Sequence, residues 1–257
     1  MNYYNEFDPK AAAWIRELIK AGAIAPGEVD ERSIIDVKPE DLKGYTQCHF
    51  FAGIGVWSHA LRCAGWPDAR PVWTGSCPCQ GFSTAGKGLG FADPRHLWPA
   101  WFKLIRECRP VVCIGEQVAS AIRHGWLDLV FTDMERIGYS CGAAVMGAHS
   151  VGAPHIRQRL YFVGDTAEWG LQGLQRERGQ GTGWLSTPPW ERRPTGGFWS
   201  NAAWLPCRDG KARAVEPGTF PLAHGAPARV GRLRGYGNAL CAPVAEEFIK
   251  AYMEIDP

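Results

Sequence analysis

A short apolar segment, a glycine turn and a helical pattern follow one another near residue 50, and this unit limits the possible folds more than any other. Residues 47–51 are predicted to form a buried strand and residues 56–64 a helix, with Gly53 and Gly55 in the turn between them. Glycine lets a ligand approach the backbone closely, and a helix N-terminus favours polar or negative groups, so such a unit suits a bound nucleotide. A tight turn without a ligand would show the same pattern.

Further apolar runs and helical patterns alternate along the chain, which favours an α/β fold. Strands are predicted at residues 71–73, 111–114, 141–148 and 160–163, and the last two could pair in an antiparallel way. Helices are predicted from Asp8-Pro9 to Gly22 and over residues 97–108, 119–137 and 243–253. Residues 23–44 contain prolines, glycines and many charges, and are interpreted as a surface connection with little regular structure.

The loop after the strand at 71–73 carries the strongest candidate for chemistry. It contains Pro78-Cys79-Gln80, and a loop that leaves a parallel strand is where an open α/β sheet presents its reactive groups. Most cysteines are small buried hydrophobic residues, and Cys79 alone could be one of them. A zinc site with Cys77 is a second alternative, but the chain lacks the paired Cys-x-x-Cys clusters of structural zinc sites.

Two further sets of charged residues follow predicted strands. Glu116 comes directly after the strand at 111–114, so it is expected at the same sheet edge as Cys79, where burial would raise its pKa and let it donate a proton. Arg157 and Arg159, spaced by one residue at a strand start, project the same way and could hold carbonyl or phosphate groups. A surface glutamate and two solvated arginines are the simpler alternatives.

Composition restricts the class of protein. A chain of 257 residues with 46% hydrophobic content can form one large α/β domain, or one domain with a small insert. It has no run of about eighteen apolar residues that would span a membrane, and its N-terminus lacks the features of a signal peptide. Nine scattered cysteines suit free thiols in a reducing cytoplasm, and no metal is expected.

The pattern of elements and the composition predict three regions. The N-terminal 1–45 is interpreted as a helical extension, and residues 46–165 plus 230–257 as the main domain. Residues 166–229 are rich in Gly, Pro, Arg and Trp and are interpreted as a small, loop-rich insert, with a hairpin predicted around Asp209-Gly210. Residues 166–236 carry ten basic and five acidic side chains, which suggests a polyanion partner, although an ordinary solvated loop region is as good an interpretation.

The order of the motifs resembles the cytosine-C5 DNA methyltransferase family, most of all its compact phage and prophage members. The motifs, in chain order, are Phe51-Ala-Gly-Ile-Gly55, Pro78-Cys79-Gln80, Asp93-x-Arg95-x-Leu97, Glu116-Gln117-Val118, Arg157-x-Arg159 and Gly237-Asn238-Ala239. The resemblance covers about residues 46–165 and 230–253. It implies a Rossmann-like methyltransferase fold with a mixed, mostly parallel sheet and helices on both faces, in the cytoplasm of a bacterial or phage-infected cell.

The resemblance also implies roles for matching residues. Cys79 would be the nucleophile, Glu116 the acid at the base, and Arg159 the group that holds the base carbonyl, supported by Arg157. The S-adenosylmethionine site would be lined by Phe51, Gly53, Ile54, Gly55, Pro78, Leu97, Asn238 and Ala239. Double-stranded DNA would be the partner of a monomeric enzyme, through the insert as target-recognition region. The candidate DNA contacts are Gln80, Ser83, Lys87, Arg208 and Arg213.

The sequence departs from the family pattern between Gly55 and Pro78. Family members usually fit two more strands there, which carry one acidic residue for the cofactor ribose and another for its adenine. Here only Asp68 is available, so the sheet is expected to be shortened and the adenosine half of the site reduced or rebuilt from the N-terminal extension. Gln117 stands where asparagine is usual and Gly81 where proline is usual, and both changes affect the catalytic loop.

Three functions are therefore compatible with the sequence. The first is methylation of cytosine C5 in DNA. The second keeps this chemistry but acts on RNA or a free cytidine nucleotide, which the small insert motivates. The third is a catalytically degenerate member that binds DNA only, which the short cofactor region motivates.

Overall fold

The computed structural model describes residues 1–78, 97–153, 156–166, 203–206, 212–215 and 239–255. A seven-stranded sheet forms its centre, in the spatial order β2-β1-β3-β4-β5-β7-β6. The strands are β1 (Asn2–Asn5), β2 (Gly27–Asp30), β3 (Gln47–Phe50), β4 (Val72–Gly75), β5 (Val112–Val118), β6 (Ser140–Gly147) and β7 (Gln158–Asp165). Strands β1 to β5 are mutually parallel, and β7 is antiparallel to both of its neighbours.

Five α-helices accompany the sheet in the described part of the chain. They are α1 (Pro9–Lys20), α2 (Val56–Cys63), α3 (Trp98–Cys108), α4 (Trp126–Arg136) and α5 (Ala242–Met253). Short 3-10 turns lie at Ile34–Asp36, Pro39–Leu42, Ala119–His124 and Ala148–Val151. One buried cluster contains residues of α3, α4 and the β3 to β5 strands, and a second contains residues of α2, α5 and the same sheet, so apolar packing covers both faces. The predicted Rossmann-like α/β fold is thereby confirmed.

Most of the predicted elements are found within a few residues of their expected bounds. The antiparallel pairing of β6 with β7 is confirmed, and β8 (Ala203–Pro206) pairs with β9 (Ala212–Val215) as the predicted hairpin. Strand β5 extends further than expected, so Glu116 lies within the strand rather than after it. The reason is the long antiparallel partner β7, which continues the backbone hydrogen bonds as far as Val118.

The interpretation of residues 23–44 as a connection with little regular structure is wrong. This stretch contains β2 and two 3-10 turns, and β2 forms the edge of the main sheet next to β1. A four-residue strand of sequence Gly-Glu-Val-Asp lacks apolar alternation, so its pairing with β1 determines its structure more than its own composition. Residues 1–45 thus contribute two strands besides the predicted helix, and "helical extension" describes them incompletely.

The sheet is not shortened, although the segment between Gly55 and Pro78 is indeed short. Helix α2 leads directly to β4, and the two positions beside β3 are taken by β1 and β2 from the beginning of the chain. β1 is parallel to β3, with Asn5 opposite Phe50, so the carboxyl ends of the two strands lie next to each other. The strands expected after the glycine turn therefore come before it in this chain.

Helix α1 begins where the sequence predicts. The Asp8 carboxylate accepts hydrogen bonds from the backbone N–H groups of Lys10 and Ala11, at 2.8 and 3.4 Å, and Pro9 occupies the first turn. The helix buries Ala12 and Ile15. This cap fixes the direction in which the chain leaves β1, and so places the residues between them at the sheet edge.

Two glycines let large aromatic rings pack against the centre of the sheet. Gly75 of β4 is opposite Gly115 of β5. A Cβ atom on Gly115 would lie 2.1 Å from the ring of Phe162, and one on Gly75 would lie 2.7 Å from the ring of Trp101. Such contacts are too short for any side chain, so glycine is required where these strands approach the candidate site.

His49 of β3 is a fully buried histidine outside the candidate site. Its Nδ1 atom lies 2.7 Å from the Thr74 hydroxyl, and its ring stacks on Tyr4 at a centroid distance of 4.8 Å. Burial lowers the pKa of His49 to about 3, although Asp68 acts in the opposite direction. The ring is therefore neutral in the folded protein at every pH near neutrality.

We expect His49 to make the fold sensitive to acid. Below the ordinary pKa of about 6.5 the unfolded chain binds a proton that the folded protein does not, so stability falls as the pH falls towards 3. The loss is up to about 1.4 kcal/mol per pH unit. His49→Gln, which cannot titrate, should be less stable at pH 7 but should show a flatter dependence of unfolding free energy on pH. Urea unfolding at pH 7 and pH 5 gives the change in unfolding free energy for each protein. An equal change in His49→Gln and in the unaltered protein would contradict this prediction.

Candidate active site

The candidate site lies at the carboxyl ends of the parallel strands β1, β3 and β4. β3 leads into the glycine turn, β4 leads into Ser76, Cys77 and Pro78, and β5 carries Glu116 across the same edge. Gly75 is opposite Gly115, so the residue after each glycine is Ser76 on one strand and Glu116 on the next. The register of two parallel strands therefore brings the start of the cysteine loop beside the carboxyl group.

Glu116 and Arg159 form an ion pair in this region. Nε of Arg159 lies 2.9 Å from Oε1 of Glu116, and only 9% of the Glu116 surface is exposed. Strand β7 places Tyr161 opposite Glu116 and Arg159 opposite Val118, so these side chains share one face of the sheet. The pair is the kind of donor and acceptor arrangement that can hold both a ring nitrogen and a carbonyl of a flat base.

Burial raises the pKa of the Glu116 carboxyl, and this is the largest influence on it. The positive charge of Arg159, a hydrogen bond from the Ser76 hydroxyl and the charge of Arg157 act in the opposite direction. The net shift is upwards, so a larger fraction of the carboxyl is protonated near neutral pH than for an exposed glutamate. The expected upward shift of this pKa is therefore found, and the role of Glu116 as an acid stays a prediction.

Gln117 connects β5 to the loop that carries Cys79. Its side-chain amide donates to the carbonyl of Cys77, at 3.5 Å, while its Oε1 atom accepts from the backbone N–H of Val118, at 2.9 Å. Thus glutamine makes a loop contact at the position where asparagine was expected. Burial raises the pKa of the Cys77 thiol, so this neighbouring cysteine is protonated and a poor nucleophile at neutral pH.

The glycine turn after β3 forms an open cradle. Phe51, Gly53 and Gly55 have φ angles of 50, 58 and 77°, in the left-handed region that favours glycine. A Cβ atom on Gly53 would meet no other atom within 4 Å, so the space beside this residue is open. Helix α2 begins at once, and within the described part of the chain its first N–H groups receive no side-chain cap from the N-cap residue, Gly55.

Glu6, directly after β1, contacts this turn. Its Oε2 atom accepts a hydrogen bond of 2.6 Å from the backbone N–H of Gly53, and its Oε1 atom accepts one of 2.8 Å from Asp8. Burial raises the pKa of the Glu6 carboxyl, and the two backbone donors oppose that shift. An acidic side chain from the first strand is therefore fixed against the turn that the sequence analysis associated with a nucleotide.

Arg157 links the site to the C-terminal part of the chain. It donates a hydrogen bond of 2.7 Å to the carbonyl oxygen of Ala239, which lies just before α5. This contact ties the start of β7 to the residues before α5, and the role of Arg157 as a support for Arg159 stays a prediction. Leu97, just before α3, packs against the same apolar cluster as Phe51.

Several predicted site residues lie outside the described part of the chain. They are Cys79, Gln80, Ser83, Lys87, Arg208 and Asn238. Arg213 lies on β9. The structure brings together Glu116, Arg159 and Arg157 with Ala239, and places Pro78 three residues beyond the end of β4. The roles of all these residues stay predictions.

Sequence reasoning missed Glu6, Ser76 and Trp57. The first could have been found, because Tyr3-Tyr4 is a short aromatic run followed by an acidic residue and a helix cap, which is a strand-to-helix pattern. The other two become visible only through the fold. The indole N–H of Trp57 donates to the Ser76 hydroxyl at 3.0 Å.

The described residues lack two features that are typical of other protein classes. None of the helices there combines the length and the apolarity that crossing a membrane requires. The same residues include no group of three or more His, Cys, Asp or Glu side chains placed to bind a metal ion.

Comparison with known proteins identifies a matching family model. Residues 67–177 match the model described as C-5 cytosine-specific DNA methylase. The Type II methyltransferase M1.HphI of Haemophilus parahaemolyticus is 38% identical over 99 residues, covering 36% of this chain and 27% of the relative. The Type II methyltransferase M.HhaI of the same organism is 31% identical over 121 residues, covering 46% and 34%. The match to these curated relatives thus spans about a quarter to a third of their length.

Solved structures also match, at low similarity. Spodoptera frugiperda DNMT2 has a TM-score of 0.43 and 13% identity, over 68% of this chain and 53% of that one. A putative DNA modification methyltransferase encoded within an Escherichia coli prophage has a TM-score of 0.39 and 20% identity, over 64% and 46%.

Proposed function

We propose, because residues 67–177 match the model of the C-5 cytosine-specific DNA methylase family, that this protein transfers a methyl group from S-adenosylmethionine to C5 of cytosine in DNA. The observation that carries the proposal is the buried pair of Glu116 and Arg159 beside the first residues of the Cys79 loop. A carboxyl with a raised pKa and a guanidinium, 2.9 Å apart on one sheet face, match the two sites of a cytosine ring that gain charge in this reaction.

The chemistry explains why these residue types are needed. C5 of cytosine is a poor nucleophile, and attack of the Cys79 thiolate on C6 makes C5 electron-rich by breaking the aromaticity of the ring. Glu116 protonates N3 and Arg159 holds the O2 carbonyl, so that the charge pushed into the ring is neutralised. Once C5 carries the methyl group that S-adenosylmethionine would supply, a base removes the C5 proton, and the electrons of that C–H bond form the C5–C6 double bond and expel the Cys79 thiolate. N3 returns its proton to Glu116.

The glycine turn and Glu6 fit S-adenosylmethionine, which when bound supplies a methyl group on a positively charged sulfur. The open space at Gly53 admits a ligand close to the backbone, and the uncapped start of α2 offers N–H groups. Glu6 takes the place of the acidic residue that the family resemblance expects for the ribose, since a carboxylate at the end of the neighbouring strand can accept from ribose hydroxyls. Asp30, at the end of β2, is a weaker candidate for the ribose, because β2 lies one strand further from β3 and its glycine turn, whereas Glu6 contacts the turn directly.

Glu6→Gln is expected to weaken cofactor binding by about 10- to 100-fold, because hydrogen bonds to a charged group contribute about 1.5–3 kcal/mol. Titration calorimetry with S-adenosylmethionine and with S-adenosylhomocysteine measures this directly. Glu17→Gln, an exposed change of the same chemistry on α1, is the control and should leave both affinities unchanged. Equal affinities of the Glu6 variant and the unaltered protein would remove Glu6 from the cofactor site.

Duplex DNA as substrate requires that the target base leave the helix. A base inside a duplex is out of reach of a side chain at a sheet edge, so it must flip into the site. The net positive segment 166–236 supplies the arginines for phosphate contacts, which predicts that binding weakens as salt increases. We place double-stranded DNA first among the substrates for this reason, and we expect a monomeric cytoplasmic enzyme.

The alternative functions are separated by one set of competition experiments. Purified protein with methyl-labelled S-adenosylmethionine is offered duplex DNA of varied sequence, RNA or dCMP, alone and in pairs. Label in DNA, located on cytosine C5 by nucleoside analysis, is the expected result. Label found only in RNA or only in dCMP would show that this molecule, and not DNA, is the substrate. Binding of DNA without any methyl transfer would favour a DNA-binding protein that has lost catalysis.

A further inference from the structure

The carboxyl group of Glu116 is held by more than its arginine. Gly75 pairs with Gly115, so the next residues, Ser76 and Glu116, lie side by side, and the Ser76 hydroxyl lowers the pKa of the carboxyl as a hydrogen-bond donor. The same hydroxyl accepts a hydrogen bond from the indole N–H of Trp57, at 3.0 Å. Trp57 is the second residue of α2 and is 2% exposed. A chain of hydrogen bonds therefore runs from α2 through the end of β4 to β5.

The chemistry of the three groups sets the direction of this chain. An indole N–H can only donate, so Ser76 accepts from Trp57 and has its own hydroxyl proton left for Glu116. Arg159 also can only donate, and it contacts Oε1 of the same carboxyl. Arg159 and Ser76 can therefore both donate to Glu116, and the guanidinium has no lone pair with which to accept the proton that the acid must give away.

The surrounding packing fixes Trp57 in place. Its ring meets Tyr161 edge-on at a centroid distance of 6.2 Å, and Tyr161 lies opposite Glu116 in the pairing of β5 with β7. Tyr161 is fully buried. Because the indole cannot rotate away without disturbing this packing, its N–H group remains directed at Ser76.

We propose that Ser76 and Trp57 are positioning residues for the acid Glu116: the Trp57 indole orients the Ser76 hydroxyl, which holds the carboxyl so that its proton is presented to the substrate base. The inference rests on the proposed function for its purpose, but the hydrogen-bond chain itself can be tested without any reaction. Removing the Ser76 donor takes away a stabilising contact of the charged form, so the carboxyl should lose its proton at a higher pH.

The test is a carbon-13 NMR titration of glutamate-labelled protein, with the Glu116 carboxyl assigned by its absence in Glu116→Gln. Ser76→Ala is expected to move the Glu116 midpoint up by about one pH unit, since one hydrogen bond to a charged group is worth about that much. Trp57→Phe should move it in the same direction by roughly half as much, and Ser76→Thr, which keeps the hydroxyl, should restore the original midpoint.

Ser58→Ala is the matched control. Ser58 is the next residue along α2 and is also fully buried, but its hydroxyl contacts Tyr4 and the backbone of Ala25. This variant should lose stability without any change in the Glu116 midpoint. An unchanged midpoint in Ser76→Ala, or an equal shift in Ser58→Ala, would overturn the proposal.

A second measurement needs no change at Ser76 or Trp57, in case those variants fail to fold. The indole N–H resonance of Trp57 in the unaltered protein should shift with pH at the Glu116 midpoint and lose this dependence in Glu116→Gln. A resonance that ignores the Glu116 titration overturns the inference. The two proposals fail in different ways. If the hydrogen-bond chain is wrong, the Trp57 resonance does not respond to the Glu116 titration although the enzyme is active. If the proposed function is wrong, no methyl group is transferred, whatever the titration shows.

In an active enzyme, the alkaline limb of the pH–rate profile should move with the carboxyl midpoint in Ser76→Ala. A residue that only supports the fold would lower the rate at all pH values and leave the limb in place.

Discussion

Replacing Cys79 with serine is expected to reduce methyl transfer by roughly a thousandfold or more. Serine is similar in size to cysteine, but its hydroxyl is scarcely ionised at neutral pH, whereas a thiol in a polar loop supplies a useful fraction of thiolate. Without attack on C6 the ring keeps its aromaticity, and C5 does not become nucleophilic. The rate of label transfer to duplex DNA measures this effect.

Cys63→Ser is the matched control for this variant. Cys63 is exposed at the C-terminal end of α2, away from the sheet edge that holds Glu116. The Cys63→Ser protein should transfer methyl groups at the same rate as the unaltered protein. Both the Cys63→Ser and the Cys79→Ser protein should still bind the cofactor and DNA. Activity of the Cys79 variant within tenfold of the unaltered protein would exclude Cys79 as the nucleophile.

Glu116→Gln is the second change with a large expected effect, a loss of about 100- to 1,000-fold. Glutamine has nearly the same shape and can hydrogen-bond to the base, but it cannot transfer a proton to N3. Because burial raises the pKa of Glu116, the acid is protonated further towards neutral pH than an ordinary glutamate, and the rate should decline as the pH rises through that pKa. This alkaline decline should be absent from the residual activity of the glutamine variant.

An exposed glutamate provides the comparison for Glu116. Glu135→Gln on α4 makes the same chemical change at the surface and should leave the rate and its pH profile unaltered. Thermal unfolding of both variants separates loss of chemistry from loss of fold. If Glu116→Gln keeps more than a tenth of the activity while still folded, proton donation by this residue is not part of the mechanism.

The elements with strong apolar patterns were the predictable part of the fold. Strand β3 with α2, and the antiparallel β6 and β7, follow from runs of apolar residues and from turn signals that act locally. Glu116 could be assigned to the same part of the sheet as the Cys79 loop, although the sequence placed it just after the strand and the structure places it within β5. These inferences needed no knowledge of which strands are neighbours.

The N-terminal strands were missed because their identity as strands depends on tertiary pairing. β1 and β2 are only four residues long, and β2 carries two acidic residues in a weak pattern. Their backbone groups are satisfied by β3 and by each other, which a local pattern cannot reveal. The consequence for function is direct, because Glu6 reaches the Gly53 turn only through this pairing.

The contact of Ser76 with Trp57 could not be predicted either. Nineteen residues separate them, and only the position of α2 over the end of β4 brings the indole to the hydroxyl. A serine after a strand and a tryptophan at a helix start are each common features with no chemical signature of their own. Ser76 and Trp57 become candidates for a functional role only because the pairing of Gly75 with Gly115 places Glu116 next to Ser76.

Covalent capture of the base tests the central claim most directly. Duplex DNA copied with 5-fluorocytosine in place of cytosine carries fluorine where a proton must leave, so the adduct between Cys79 and C6 cannot resolve after methylation. With S-adenosylmethionine present, protein mass spectrometry should find one nucleotide attached at Cys79, and Cys79→Ser should give none. Attachment at another residue, or no adduct although the protein methylates ordinary DNA, would contradict the account.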